Sequence, residues 1–396
     1  MSAPESAQFA GLQRRALLIG IGAMAISLIG WFMDPSQFYR SWLVGYLYWL
    51  AFPLGAFGFV CLHNMTGGGW GFVIRRVLES AAGTTPLMLL FFVPVVLGLT
   101  DLYEWADPAI VAADPILQYK APFLNVPFFL ARATLYFAIW IVVTQLVVRW
   151  SRQQDEGTEP RPNLTRRLQL LSGAGLPIYA LTVSFATIDW GMTLEPHWFS
   201  TIYGLLFVVG QGLSTLAFSI IMLRKLAGRE PLAGVVRRGH FHDLGNLMLA
   251  FVMLWAYMSF SQYLIIWSGN LPEEISWYLN RSAGGWQYFA PILMGFHFAL
   301  PFLLLLARRR KQSAEVLARI AVWVLLLRFV DIFWLIAPAF SPREFHVHWL
   351  DLTIPLAIGG IWLALFLHRL GSWSLVPTND PRIDDALKAP AQEVHA

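Results

Sequence analysis

Long apolar runs recur along the chain and are separated by short polar connections. Each run is about 18 to 25 residues long with few or no charges, the length that a helix needs to cross a hydrocarbon core roughly 30 Å thick. Strands of a membrane barrel would be about ten residues long and would alternate polar with apolar positions. The pattern therefore predicts an all-α integral membrane protein with about ten transmembrane helices. The runs are residues 15–33, 42–62, 81–100, 125–148, 168–188, 199–223, 245–268, 286–306, 319–338 and 350–368.

The composition agrees with this fold class. Hydrophobic residues make up 57 % of the chain and charged residues 13 %, whereas soluble domains carry about 25 % charged residues. The first run follows Arg14 and Arg15 as in a signal peptide, but it is long and lacks a small-residue cleavage site before Trp31, so a retained helix is predicted. We expect one polytopic membrane domain over residues 1–373 and a polar cytoplasmic tail over 374–396.

Basic residues fall mainly in the connections on one side of the predicted membrane. Because cytoplasmic loops carry the excess of lysine and arginine, that side and both termini are predicted to be cytoplasmic. This bias accounts for the net charge of +4, so membrane lipid is an expected partner and nucleic acid is not. The basic side carries Arg14, Arg15, Arg75, Arg76, residues 149–167, 224–238 and 308–311, and Arg369; the other side carries Arg40, Lys120, Arg281 and Arg343.

Ionisable residues also fall inside the predicted helices, where an unpaired charge is costly and indicates a function. Arg328 and Asp331 are three residues apart, so they share one helix face and can pair. His297 lies at a similar depth, whereas Arg132 lies near the outer side and can extend outward. The Arg328–Asp331 pair is either a structural link or part of a proton path, and His297 is either a packing histidine or a titrating one.

Polar residues beside tryptophans gather near the outer ends of the helices. Carboxylates and imidazoles accept protons and flat apolar walls hold a ring, so this group is suited to a quinol headgroup. Helix caps and an interfacial tryptophan belt have the same composition, and both interpretations stay open. The proton-transfer candidates here are Asp189, Glu195 and His197, and the candidate quinone pocket comprises Gln262, Asp189, His197, Trp198 and Tyr263.

A second group of ionisable residues lies toward the cytoplasmic side. Glu79 follows Arg75 by four residues, a spacing typical of an ion pair on a helix surface. A file of polar groups from this side through the mid-membrane residues to the outer group would conduct protons. Its cytoplasmic candidates are His63, Glu79, His240 and His242.

Haem and metal sites are not expected within the chain. Bis-histidine haem needs two histidines at matching depth on facing helices, and only His297 of nine histidines is central. The single cysteine, Cys61, lies in an apolar run and supplies too few thiolates for an iron–sulfur cluster or a thiolate zinc site.

Three segments resemble a known family. DWGMTLEPHWFSTIYG at 189–204, FSQYLIIWSGNLPEEISWYLNR at 260–281 and RFVDIFWLIAP at 328–338 are similar to the ActF-type membrane subunit of alternative complex III, in the NrfD/polysulfide-reductase membrane subunit family. The resemblance covers nearly the full chain and implies two four-helix bundles plus flanking helices in a bacterial inner membrane. It also implies a role in quinol:electron-acceptor oxidoreduction, with a proton path, a quinone pocket or both.

The resemblance further implies partners and a substrate. Menaquinol or another quinol would be the substrate, and the chain would hold no redox metal of its own. A paralogous NrfD-like membrane subunit, iron–sulfur and multihaem cytochrome subunits and a terminal oxidase are the implied partners, with the redox subunits docked on the outer side. A stand-alone ion-coupled transporter and a purely structural assembly subunit remain the alternatives, so enzymatic activity of this chain alone stays open.

Overall fold

The computed structural model describes residues 4–157, 162–372, 374–377 and 379–380. Every regular element in that part of the chain is helical. Nine of its helices are long and apolar enough to cross a membrane, and the number is ten when a bent pair is counted as one span. The prediction of an all-α, multi-span membrane protein is therefore confirmed. Most of the predicted tail lies outside the described residues.

Eleven helical segments make up these spans, and we number them in chain order. They are α1 (Pro4–Met33), α2 (Pro35–Thr66), α3 (Gly69–Ala82), α4 (Thr85–Leu97), α5 (Val126–Asp155), α6 (Pro162–Trp190), α7 (Tyr203–Leu226), α8 (Arg238–Gly269), α9 (Trp286–Leu306), α10 (Ala314–Ile336) and α11 (Leu350–Gly371). Shorter helices lie at Leu99–Leu102, Pro108–Ala113, Pro115–Lys120, Pro272–Asn280 and Arg308–Gln312, with 3-10 turns at Glu104–Ala106, Met192–Leu194 and Ala337–Ala339.

Polar caps set where several spans begin. Asp34 caps α2 and Asn125 caps α5, each accepting a hydrogen bond from a backbone N–H in the first turn, and a proline occupies an early position in both helices. Such caps satisfy N–H groups that have no partner within the helix. The helices α6 and α8 begin six and seven residues before their apolar runs, because polar first turns extend them beyond the lipid-facing segment.

The third predicted span, residues 81–100, corresponds to α4, and α3 precedes it as a second helix that the sequence did not predict. Between α3 and α4 the axis bends by 41°, directly before Pro86, which has no backbone N–H to continue the hydrogen bonds of α3. The hydroxyls of Thr84 and Thr85 each donate 2.6 Å hydrogen bonds to carbonyls of the preceding turn. The bend places α3 in the interior, so the predicted surface location of the Arg75–Glu79 pair is wrong: Glu79 is 1 % exposed.

The spans form two four-helix bundles. In the first bundle α2, α3 with α4, α5 and α6 pack in a ring, and in the second α7, α8, α9 and α10 do the same. The two bundles meet where α2 packs against α7. This arrangement matches the two bundles that the resemblance implies.

The helices α1 and α11 flank the bundles and pack along each other. Gly20 and Gly360 face each other in this pair, and a Cβ on either one would overlap the backbone of the other helix. Small residues of this kind allow membrane helices to approach closely. The described end of the tail also packs on the protein, with Leu375 and Val376 buried and Asp380 paired with Arg75.

Candidate functional site

A buried ion pair occupies the interior of the second bundle. Arg328 and Asp331 lie on one face of α10 and their side chains bond to each other, as the spacing predicts. Trp255 on α8 donates from Nε1 to Asp331 Oδ2 at 3.1 Å. Both charged residues are 2 % exposed. The carboxylate is therefore held by two helices and is neutralised within the bundle.

A glycine on α7 makes room for the arginine. A Cβ added at Gly210 would overlap the guanidinium of Arg328. The guanidinium therefore fits only because α7 has no side chain at this position. The pair depends on close packing between α7 and α10, which are also neighbours in the ring.

His297 lies on the other side of the same tryptophan. The histidine belongs to a π-helical stretch, Leu293–Ala299, within α9, and such wider turns are often found at functional sites. Its ring meets Trp255 edge-on with 4.4 Å between centroids, and neither ring nitrogen has a hydrogen-bond partner. Trp255 thus contacts both His297 and Asp331, so the three predicted mid-membrane residues form one cluster.

A cavity of about 340 Å³ adjoins this cluster, between α7, α8, α9 and α10. Cavities of this size are in the range of small-molecule sites. Its wall is mainly apolar and aromatic, and Asp331 and Trp255 form part of it. The other lining residues are Leu206, Ala256, Ser259, Phe260, Gln262, Tyr263, Tyr278, Ala290, Pro291, Leu293, Met294, Trp334 and Leu335.

Polar groups line this cavity in addition to Asp331. Gln262 accepts a hydrogen bond from Ser200 through Oε1 at 2.9 Å and also interacts with the phenol of Tyr278. Burial raises the pKa of Tyr278 to about 12, so its hydroxyl stays protonated at neutral pH and can donate. The cavity therefore offers a carboxylate, an amide and a phenol to one ligand.

The remaining predicted pocket residues lie elsewhere. Asp189 ends α6 in the first bundle, where Arg132 donates from Nε and Nη2 to its two oxygens at 2.9 Å each. Tyr136 donates to the same carboxylate at 2.9 Å. Arg132 is 9 % exposed, so it does not extend outward as the sequence allowed. Asp189 is fully engaged and does not line the cavity.

Three predicted residues bond the loops to one another: Glu195, His197 and Trp198. Glu195 pairs with Arg281 at 3.0 Å, and the exposed ring of His197 bonds to Asp114 at 2.6 Å. Trp198 stacks on Trp277 with 5.1 Å between centroids. None of the three lines the cavity, so the structure divides the predicted pocket and leaves Gln262 and Tyr263 in it.

The candidates on the basic side are spread over three helices. Glu79 on α3 pairs with Arg75 at 2.8 Å and also with Arg76. His63 on α2 is buried edge-on against Trp70. On α8, the His240 ring accepts the N–H of Arg237 at 3.1 Å and the His242 ring lies 3.4 Å from Asn246. They do not form one site.

Comparison with known proteins gives no relative to guide the assignment. No protein-family model and no curated protein matches the chain. In the part of the chain that the structure describes, no group of three or more His, Cys, Asp or Glu side chains is placed to hold a metal ion. The cavity and the residues around it are therefore the basis for assigning a function.

Sequence reasoning missed two residues of the site. Trp255 contacts both the cluster and the cavity, yet it lies within an apolar run, where a tryptophan is not distinguished from the other apolar residues. Ser259 and Gln262 follow Trp255 by four and seven residues, which places all three on one face of α8. This spacing could have identified Trp255 from the sequence. Tyr278 comes from a separate short helix and has no such spacing.

Proposed function

We propose that this chain is the quinol-binding membrane subunit of a bacterial quinol:electron-acceptor oxidoreductase of the alternative complex III type. In this proposal the quinol ring binds in the second-bundle cavity. One observation supports the proposal most directly: a buried carboxylate, Asp331, lies in the wall of a mainly apolar and aromatic cavity.

The residues of the cavity suit the substrate chemically. Trp255, Tyr263 and Trp334 supply flat faces that can pack on a ring. A quinol has a hydroxyl at each end of its ring, and Asp331 can accept from one while Gln262 and Tyr278 bond the other. Exposed apolar side chains next to the cavity, such as Phe260 and Met294, leave a lipid-facing surface for the tail.

Quinol oxidation releases two protons and two electrons. Asp331 would accept the first proton as a general base, and Arg328 would remain paired with the carboxylate until the quinol binds. Electrons would pass to redox groups of partner subunits, since the proposal assigns no redox centre to this chain. The second proton needs an acceptor of its own. It would pass to water that enters the cavity, or to His297 where such a water reaches it, because the indole N–H of Trp255 only donates and cannot relay a proton.

Orientation and partners follow from the charge bias and the resemblance. The arginine-rich side would face the cytoplasm of a bacterium, which places the wider loops on the outer side. Residues 99–125 include three short helices and four acidic residues, and they would contact the iron–sulfur and multihaem subunits. A paralogous NrfD-like subunit and a terminal oxidase would complete the assembly.

The test compares two buried carboxylates in the assembled complex. Asp331→Asn should lower quinol oxidation at least 100-fold, as expected for loss of a general base, and should leave assembly intact. Asp351→Asn is the matched control, because Asp351 is buried but bonds Ser41 outside the cavity. Normal turnover of the Asp331→Asn variant would reject the proposed site.

Two other outcomes would replace the proposed function. Ion transport by the purified lone chain in liposomes, with no redox partners retained, would favour the transporter. Unchanged quinol turnover and proton yield in both variants would favour a structural subunit. One observation disfavours the transporter. Transporters built from two repeats have interrupted helices at matching positions of the two halves, whereas here the bend lies in the second helix of the first bundle and the π-helical stretch in the third helix of the second.

A further inference from the structure

A second, wider cavity opens at the basic end of the second bundle. Its volume is about 690 Å³, and it lies where α7 ends and where α8 and α10 begin. The short helix Arg308–Gln312 forms part of its wall. The polar or aromatic residues that line it are Arg237, Arg238, Phe241, Arg309, Gln312 and Ser313.

The charge of this cavity is one-sided. Three arginines line it and no carboxylate does. Other arginines on this side have acidic partners: Arg224 and Arg319 share Glu315. Over the residues that the structure describes, Arg237, Arg238 and Arg309 make no such ion pair. Their guanidinium groups are therefore available to an anion from outside the chain.

Buried contacts hold the cavity wall in place. The His240 ring accepts the backbone N–H of Arg237 at 3.1 Å, which fixes the first turn of α8. Lys311 is buried and donates to Asn246 Oδ1 at 2.5 Å, which attaches the short helix to α8. Arg309 therefore lines the cavity from the short helix, while Arg238 lines it from the first turn of α8 and Arg237 from the residue before that helix.

The position of the cavity corresponds to the lipid headgroup region. All four spans of the second bundle begin or end beside it, at Leu226, Arg238, Leu306 and Ala314. Leu306 is 53 % exposed and gives apolar surface toward the membrane interior. An amphiphile could therefore place its charged part in the cavity and its chains along α9.

We propose that this cavity binds the phosphate headgroup of an anionic phospholipid. Guanidinium groups bind phosphate oxygens in a bidentate manner, and basic pockets between membrane helices are known to hold headgroups with more than one phosphate. Three arginines from two helical elements around a wide cavity suit cardiolipin, which carries two phosphodiesters. The inference does not depend on quinol binding.

The experiment measures lipid binding to the full chain in its native assembly. The complex is placed in phosphatidylcholine nanodiscs doped with cardiolipin or phosphatidylglycerol, and bound lipid is counted by native mass spectrometry. The variant is Arg237→Gln/Arg238→Gln/Arg309→Gln. Each arginine should contribute about fivefold, so affinity should fall about 100-fold.

A charge-matched control separates the site from general surface charge. Arg149→Gln/Arg166→Gln/Arg167→Gln removes three exposed arginines from the basic end of the first bundle and should leave binding unchanged. Replacing the cavity arginines by lysine keeps the charge but loses the bidentate geometry, so it should restore only part of the binding that the glutamine variant loses. An equal loss of bound anionic lipid in both triple variants would overturn the proposal. So would a wild-type complex that retains phosphatidylcholine as well as it retains anionic lipid.

Free phosphate is the other source of the same chemistry. Inorganic phosphate is titrated into the detergent-solubilised complex by calorimetry. One outcome would overturn the lipid proposal and assign the cavity to free phosphate. In that outcome phosphate binds tightly, the triple variant abolishes this binding, and no anionic lipid is retained in nanodiscs. Retained anionic lipid together with weak phosphate binding supports the lipid proposal.

Discussion

Each bundle contains one buried aspartate paired with an arginine, yet the two aspartates have different neighbours. In the first bundle, Asp189 bonds Arg132 through both oxygens and also accepts from Tyr136. In the second, Asp331 bonds Arg328 and Trp255 and lies in the wall of a cavity. An ion pair in a membrane helix is therefore weak evidence for a site until its remaining neighbours are known.

The aromatic packing explains why only one of the two pairs adjoins a cavity. Trp190 follows Asp189 and is fully buried, with Phe92 and Phe137 at 4.6 and 5.8 Å between ring centroids. These rings fill the space next to the carboxylate. Beside Asp331, the rings of Trp255 and Trp334 border the empty volume instead.

The largest expected difference between the bundles is in stability. Asp189→Ala leaves Arg132 buried without its partner and should lower the free energy of unfolding by about 3–5 kcal/mol. Asp331→Ala should cost less, about 1–3 kcal/mol, because Asp331 lines the cavity and its removal would let water from the cavity reach Arg328. Thermal unfolding in detergent measures both changes in stability. Equal losses of stability would show that the cavity does not solvate the unpaired arginine.

A smaller effect is expected from filling the space beside Arg328. Gly210→Ala places a methyl group against the guanidinium and should destabilise the protein by about 1–3 kcal/mol. It should also reduce quinol oxidation, since it displaces the partner of Asp331. Gly173→Ala on α6 is the control, because a Cβ there meets nothing within 4 Å. Normal stability of the Gly210 variant would contradict the packing described.

The smallest effect concerns the loop between α4 and α5. Loss of water around the Asp114 carboxylate raises its pKa, but the N–H groups of Leu117 and Ile116 and the His197 ring outweigh this and lower the pKa below its usual value. Asp114 therefore stabilises the fold above about pH 4, and this contribution is lost as pH falls through the lowered pKa.

The comparison of wild type with Asp114→Asn checks this sign. The difference between their unfolding temperatures should be present at neutral pH and should disappear at strongly acidic pH. A difference that grows on acidification would mean that the carboxylate is not stabilised in the folded protein.

The length of the apolar runs predicted most of the fold, because lipid imposes the length and polarity of each span. The bend between α3 and α4 escaped prediction although Pro86 marks it, because the charged residues of α3 make that helix look like a polar connection in the sequence. Helix starts at Pro162 and Arg238 were placed too late for a related reason: polar first turns look like loops in sequence.

The site was predictable only where its residues are close in sequence. Arg328 and Asp331 are one turn apart, so their pairing follows from helix geometry alone. Asp189 and Glu195 instead bond Arg132 and Arg281, which lie 57 and 86 positions away. Such pairings are set by helix packing, and no local pattern distinguishes them from a ligand pocket.

The connection between the bundles has a mechanical consequence. Only five residues separate Asp189, bonded within the first bundle, from Glu195, bonded to Arg281 of the second. Arg281 in turn donates to the carbonyls of Trp334 and Leu335 at the end of α10. Any rocking of one bundle against the other must pivot at this joint, so displacement would be least here and greatest at the opposite, arginine-rich end.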